Sequence, residues 1–232
     1  MENRKIVVFS SFNYYSFYEA SFSEEWIKYR MKIFMEYTRK SLESQTYQEF
    51  IAIFRYHPKS HAIITKVLSE YPKLPNNIIF SYIGIEKLTN DFINDEDEVF
   101  YVRIDSDDMY IPDYFERLMN YKHKEDTQVI ISQHGYIHDH LNKRLATYFH
   151  ESPPFLTYIY SGEDFKNGKR YTHGNGHAGA INLNYEVIDG YNYIITIHGN
   201  NSSSVFENPK YKLNGLYNDE YKKVINTFKI YE

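Results

Sequence analysis

An α/β fold on a mostly parallel central sheet is what this sequence predicts, with helices on both faces and a small antiparallel part towards the C-terminus. Three observations predict it. Short apolar runs alternate with segments of helical periodicity through the first half of the chain. Each interval between runs has room for a crossover helix, which makes successive runs parallel. Beyond residue 125 the alternation gives way to short runs separated by polar turns.

The elements follow in order. Residues 5–9 are a short run rich in β-branched side chains, read as a buried strand. Ser23, followed by Glu24 and Glu25, is a helix start, and Trp26, Ile33, Phe34, Tyr37 and Leu42 then recur near helical spacing until Gln45-Thr46. Residues 50–54 read as the second strand. Ile63, Ile64, Val67, Leu68 and Tyr71 share one helix face, which Pro72 closes. Asn76-Asn77 turn into a third strand at 78–82, and Leu88, Phe92 and Ile93 mark a short helix. Residues 99–104 form a fourth strand running directly into an acidic cluster. Pro112 suits the first turn of a helix that carries Phe115, Leu118 and Met119 on one face. In the second half, residues 129–132 and 144–149 flank a polar turn and suggest an antiparallel hairpin. Pro153-Pro154, a Gly/His/Asn-rich stretch at 168–179 and a last strand at 193–197 complete the chain.

The 232 residues carry 42% hydrophobic and 25% charged side chains, ordinary for one globular domain over residues 1–232. A net charge of −5 offers no global basic face, so no stable nucleic-acid partner is expected. The absence of Cys excludes a disulfide framework, a thiolate nucleophile and Cys-ligated zinc. No apolar run approaches the ~20 residues that span a bilayer, and the stretch after Arg4-Lys5 is too short for a signal peptide. A cytoplasmic protein without a membrane partner is the expectation. The 25 Tyr and 16 Phe are unusual; a Tyr surplus suits stacking against rings, although most Tyr are expected simply to fill strand and half-buried positions.

The chemistry concentrates after the fourth strand. Asp105, Asp107 and Asp108 lie at its C-terminal end, where ligands sit in open α/β sheets. Carboxylates this close repel one another, and a divalent cation such as Mg2+ or Mn2+ relieves the repulsion. Such a cation would also neutralise the charge that grows on a leaving diphosphate.

The segment Arg103-Ile104-Asp105-Ser106-Asp107-Asp108, followed by Tyr114-Phe115, resembles the aspartate motif of the GT-A glycosyltransferases, and in particular the rhamnosyltransferase-type family. Residues 30–34 with 41–50 resemble that family's first helix and its Ser-Leu-x-x-Gln-Thr…Phe passage. Ile197-His198-Gly199-Asn200-Asn201 resembles its closing His-Gly-x-Asn element. The likeness implies a Rossmann-like GT-A fold, a nucleotide-sugar-binding half at 1–125 and an acceptor-side half at 126–232. It implies transfer of a hexosyl or deoxyhexosyl group from a nucleotide-diphosphate donor to the hydroxyl of a glycan, a small molecule or another acceptor, with Mn2+ or Mg2+ as cofactor.

Roles carried over by that resemblance are as follows. Asp107 ligates the metal, Asp105 shares it or contacts the donor ribose, and His198 completes the set. Asp108 supports the ligands from behind or touches the sugar; read without the resemblance, it caps the helix near Pro112. Ser10, Phe12 and Asn13, after the first strand, hold the nucleotide base, with Phe12 stacking on it; Arg55 completes that pocket. Arg103 reaches the nucleotide or pairs with a carboxylate of the site. Gly176, in the loop 171–180, allows close backbone approach to the donor sugar. The base near the acceptor hydroxyl is Asp189, Glu186 or His177; the family's usual Glu-Asp pair is not clearly present.

Two other readings compete. A metal-dependent hydrolase would draw ligands from His134, His138 and His140 or from His173 and His177, although no known zinc spacing is present. A non-catalytic nucleotide-sugar binder on the same fold would keep Asp105, Asp107 and His198 as well.

Overall fold

Four apolar runs with no face to spare for solvent must be covered on both sides, which parallel strands under crossover helices achieve. The computed structural model describes residues 3–15, 18–199, 201, 205–206 and 213–230. In it β1 (Arg4–Ser11) lies between β2 (Phe50–Arg55) and β4 (Glu98–Arg103), with β3 (Ile78–Ser81) outside β2. All four are parallel, and Val8 sits level with Ala52 on one side and Val102 on the other.

Helices cover both faces, as expected. After β1 come α1 (Glu24–Glu36) and α2 (Thr38–Glu43); α3 (His61–Leu68), α4 (Ile85–Thr89) and α5 (Tyr114–Met119) follow β2, β3 and β4. Ser23 caps α1 by accepting the Trp26 N–H at 3.2 Å. Ile6, Val8, Phe54 and Phe100 pack with Ile27, Met31 and Phe34 of α1, Ile64 of α3 and Phe115 of α5. The alternate residues Val7, Ile53 and Val99 pack in a separate cluster with Ile85 of α4 and with Phe165 of α6 (Gly162–Lys166).

The second half of the chain extends this sheet and builds another. β6 (Val129–Ile131), β9 (Leu156–Ser161) and β10 (Tyr185–Val187) complete seven strands in the order β10-β6-β9-β4-β1-β2-β3. β9 is antiparallel to β4 and β6, while β6 and β10 are parallel to each other. The second sheet runs β12-β8-β7-β11-β5, from β5 (Met109–Tyr110), β7 (His134–Asp139), β8 (Arg144–Phe149), β11 (Tyr191–Ile197) and β12 (Asn214–Leu216). Its pairs are antiparallel except β7 with β11. Val224 and Ile225 of α7 (Asn218–Thr227) pack against Leu145 and Ile194 of this sheet.

The expected hairpin between residues 129–132 and 144–149 does not form. All three residues of β6 are buried, which suits a covered sheet and not a half-exposed hairpin. The strand paired with β8 is β7, and Asp139 ties their turn by accepting from the Asn142 amide at 3.1 Å and from Arg144 Nε at 3.0 Å. The strand expected at 193–197 begins at Tyr191 and is followed by β12 and α7.

Stacked rings join the two sheets. Tyr110 lies 4.1 Å from Tyr114, Phe155 lies 3.7 Å from Tyr193, and Tyr110 meets Phe155 edge-on at 5.5 Å. Several of the surplus tyrosines are therefore core material. Among the described residues no helix is long and apolar enough to cross a membrane.

Candidate functional site

The acidic run is the five-residue connection, 104–108, by which the chain leaves β4 of one sheet and enters β5 of the other. Its three aspartates meet three different fates. Asp108 is buried, 4% exposed, and its Oδ1 accepts the Thr196 N–H of β11 at 3.0 Å. Burial pushes its carboxyl well up, the charges of Asp107 and Asp105 push it further, and the Thr196 amide and Arg30 only partly oppose them. Its surroundings therefore favour the protonated carboxyl. Asp108 neither caps α5 nor lies open to a sugar; of the expected roles, only that of a support behind the site is compatible with its burial.

Asp105 turns to Arg103, whose Nη2 is 2.9 Å from Oδ1 and whose Nη1 donates to the Pro154 carbonyl at 2.7 Å. Asp107 turns the other way. Its Oδ2 accepts from Arg30 Nη1 at 2.9 Å, stands 3.1 Å from His198 Nε2 and is 3.4 Å from Asn201 Nδ2. Burial alone would raise the Asp107 carboxyl, but the Arg30 charge and then His198 overrule it and hold it well below the usual carboxylate range. Burial likewise works against the Arg30 charge, and Asp107, followed by Asp105 and Asp108, raises its pKa in spite of it.

Arg30 comes from the core-facing stripe of α1, one turn from Trp26 and one from Phe34, so the helix delivers its guanidinium to the C-terminal ends of the strands. Nη1 reaches both Asp107 Oδ2 and, at 2.9 Å, His198 Nε2; Nη2 donates to Ser106 Oγ at 3.0 Å. His198 follows β11 and is 2% exposed. Tyr29 of α1 donates its hydroxyl to the His198 carbonyl and stands 3.2 Å from Nδ1. Nδ1 thus faces the Tyr29 oxygen, and Nε2 faces both Arg30 Nη1 and Asp107 Oδ2. Asn201 fixes the turn, accepting the His198 N–H at 2.8 Å and donating to the Thr196 carbonyl at 2.7 Å. Asn200, part of the same predicted element, lies outside the described residues.

The expected metal site can be tested against these distances. Asp107 Oδ2 and His198 Nε2 are spaced like neighbouring ligands of an ion at about 2.1 Å from each. The gap they share is already taken by Arg30 Nη1, 2.9 Å from both. Asp105 is engaged by Arg103 and does not join them. Among the described residues no three His, Asp or Glu side chains converge into a metal-holding group. A dication would therefore find two protein donors and a permanent cation in contact with both. The arrangement does not suit a resident Mn2+ or Mg2+. The crowding that suggested one is relieved by Arg30, which pairs with Asp107, and by Arg103, which pairs with Asp105.

The other predicted residues divide. Ser10 and Arg55 do lie at the strand ends beside the acidic run: Ser10 is one residue beyond the rung Phe9–Arg103, and Arg55 pairs with Ser11. Ser10 Oγ and Arg55 Nε are buried without hydrogen-bond partners, and the Arg55 guanidinium lies 3.7 Å over the Tyr14 ring. Phe12 does not present a face for stacking. It is 4% exposed, edge-on to Trp26 and Phe80, because the chain after β1 turns inward there. Asn13 is consumed by the loop, donating to the Ser21 carbonyl and Ser60 Oγ and accepting the His57 N–H.

Among the base candidates, His177 alone is on the Asp105 side. Its Nδ1 donates to the Ser152 carbonyl at 2.6 Å, which leaves Nε2 with its lone pair. Burial lowers its pKa, and Arg103 lowers it further against the pull of Asp105. Gly176, at φ +56°, opens the 3-10 turn that carries it, a left-handed conformation glycine adopts freely. Glu186 and Asp189 belong to β10 and its exit, three strand positions from β4, or about 14 Å by ladder spacing. Glu186 accepts from the Lys124 N–H at 2.8 Å and from Thr127, and the Asp189 carbonyl accepts from Arg117. Neither serves the acidic run. The histidines of the hydrolase reading are spent separately, His134 against Phe149, His140 with Tyr37 and His173 with Tyr158.

No family model matches the sequence, and no curated protein matches it. Solved structures resemble it distantly. S. aureus TarS 1–349 in complex with UDP is 13% identical over 83% of this chain and 60% of that one, with a TM-score of 0.43. S. aureus TarS 1–349 is 14% identical over 84% and 60%, with a TM-score of 0.42. S. aureus TarS is 13% identical over 84% of this chain and 37% of that one, with a TM-score of 0.44. The chain thus spans less than two thirds of each of them, and likeness at this level carries no argument about the site.

Proposed function

We infer that this chain is a GT-A-type glycosyltransferase, moving a sugar from a nucleoside-diphosphate donor to an acceptor hydroxyl. One observation carries the reading: Arg30, Asp107 and His198, from three separate elements, meet at the C-terminal ends of the central strands, with Arg103, Asp105 and His177 alongside. That is where an open α/β sheet receives a nucleotide. Ser10 and Arg55, with unbonded polar atoms at the ends of β1 and β2, would face the nucleoside.

The chemistry follows from the groups present. His177 Nε2 takes the proton of the acceptor hydroxyl, the acceptor oxygen bonds to the sugar C1, and the bond from C1 to the diphosphate breaks with its electron pair leaving on the phosphate oxygen. Cationic donors fixed beside that oxygen stabilise the growing charge. In this reading residues 1–125 hold the donor and 126–232 supply most of the acceptor side, in one cytoplasmic domain. The rhamnosyltransferase-type likeness rests on the sequence motifs alone and does not specify the sugar.

Thermal-shift and calorimetric screening of UDP, GDP, ADP and CDP and of their sugar conjugates tests the reading. One nucleoside diphosphate and its sugar are expected to bind, and the sugar nucleotide to be turned over slowly with water or fully with an acceptor. Binding by none of them would end the proposal; binding without turnover across acceptors would favour the non-catalytic binder.

A further inference from the structure

We propose that Arg30 is the cation of the diphosphate site, so that donor binding and departure of the diphosphate do not depend on a divalent metal. This rests on the glycosyltransferase reading and specifies how that site handles charge. Three observations point to it. Arg30 Nη1 fills the space between the two side chains best spaced to hold an ion, at 2.9 Å from each. Its side chain is only 12% exposed, and the guanidinium is locked in place by Asp107, His198 and Ser106. Arg30 donates from Nη1 to Asp107 and from Nη2 to Ser106, and Nε is buried with no partner, so the group is held in place without being saturated.

An arginine fixed in this way does what a metal ion would do electrostatically. It presents a permanent positive charge and planar N–H donors at the end of β4, and the free Nη2 hydrogen remains available for a phosphate oxygen. Asp107 and His198 then act as positioning residues that aim the guanidinium. When the bond from sugar C1 to the diphosphate oxygen breaks, the electron pair stays on that oxygen beside Arg30.

The test is calorimetric titration of the intact protein with the nucleoside diphosphates named above, in excess EDTA and in saturating Mn2+. The wild type is expected to bind one of them with affinities equal within about threefold in the two buffers, less than 0.7 kcal/mol apart. Arg30→Met should weaken binding in EDTA by about 10- to 100-fold. Arg30→Lys, which keeps the charge and a folded site, should lose less than Arg30→Met and regain no metal dependence. Circular dichroism and a thermal melt establish that each variant is folded. Wild-type binding at least tenfold tighter with Mn2+, or a folded Arg30→Lys and Arg30→Met pair that bind as well as wild type in EDTA, overturns the role of Arg30 while leaving the glycosyltransferase reading in place. Failure of every nucleoside diphosphate in both buffers overturns both.

Discussion

Arg30 Nη1 and Asp107 Oδ2 meet at 2.9 Å across 77 residues of sequence, tying the first long helix to the loop where the chain passes between sheets. Breaking such a pair strands one charge in a buried place. Asp107→Ala is expected to destabilise the protein by about 3–5 kcal/mol, and the double variant with Arg30→Met by less than the sum of the two single changes. Urea unfolding measures all three, and additive losses would mean that the two side chains are not coupled.

Asp108 has a pH signature of the opposite sign to an ion-paired carboxylate. Below the ordinary carboxylate range both folded and unfolded chains carry its proton, and it adds no slope. Above that range the unfolded chain gives the proton up while the fold retains it, so its contribution to stability falls as pH rises, until the raised folded pKa is passed. Asp108→Asn keeps the acceptor for the Thr196 amide and removes the titration. Its melting temperature should match wild type near pH 4 and exceed it by a few degrees at pH 7–8. Parallel melting curves for the two proteins across that range would show a charged Asp108 in the fold.

In the proposed reaction His177 is the acceptor base. His177→Ala should lower turnover by about 10²- to 10⁴-fold with little change in donor affinity. Since burial pulls its pKa below the ordinary 6.5, the acid limb of the wild-type pH–rate profile should have its midpoint below that value. Glu186→Gln and Asp189→Asn should leave turnover unchanged. Loss of activity in either of them, with His177→Ala active, would reverse the assignment.

Gly162 opens α6 where the helix is drawn against the turn before β4. A Cβ there would overlap the Asn94 carbonyl, and backbone cannot swing aside as a side-chain tip does. Gly162→Ala should cost about 1–3 kcal/mol in urea unfolding, whereas Gly174→Ala, with nothing near its Cβ, meets only the cost of a positive φ. Equal losses at the two positions would deny the close approach at Gly162.

Where the sequence was legible, the reason is physical. β1, β2 and β4 are covered on both faces, so they appear as apolar runs without alternation, and Ser23 announced α1 by its own hydrogen bond. The run Leu156–Ser161 was hidden because Thr and Tyr break it up and Pro153-Pro154 read as loop; in the fold its tyrosines pair across to β4. Residues 129–131 gave the right strand and the wrong partner, since three apolar residues do not say which sheet they join. For the candidate site, Asp107 and His198 were picked out because each lies in polar sequence that follows an apolar strand, β4 or β11. Arg30 was missed, although the signal was present: a charged residue spaced four from Trp26 and four from Phe34, on the stripe that α1 turns to the core.

The antiparallel β9 has a consequence in time. It is the neighbour of β4 on the side away from β1, and β6 and β10 attach only through it. During synthesis at roughly 5–20 residues per second, β1 to β4 leave the ribosome seconds before residues 156–161 exist. Throughout that interval a nascent apolar strand shows an open edge, the kind of edge that recruits strands from other molecules. Chaperone demand during translation should therefore peak before residue 161 emerges and fall once β9 has closed over β4.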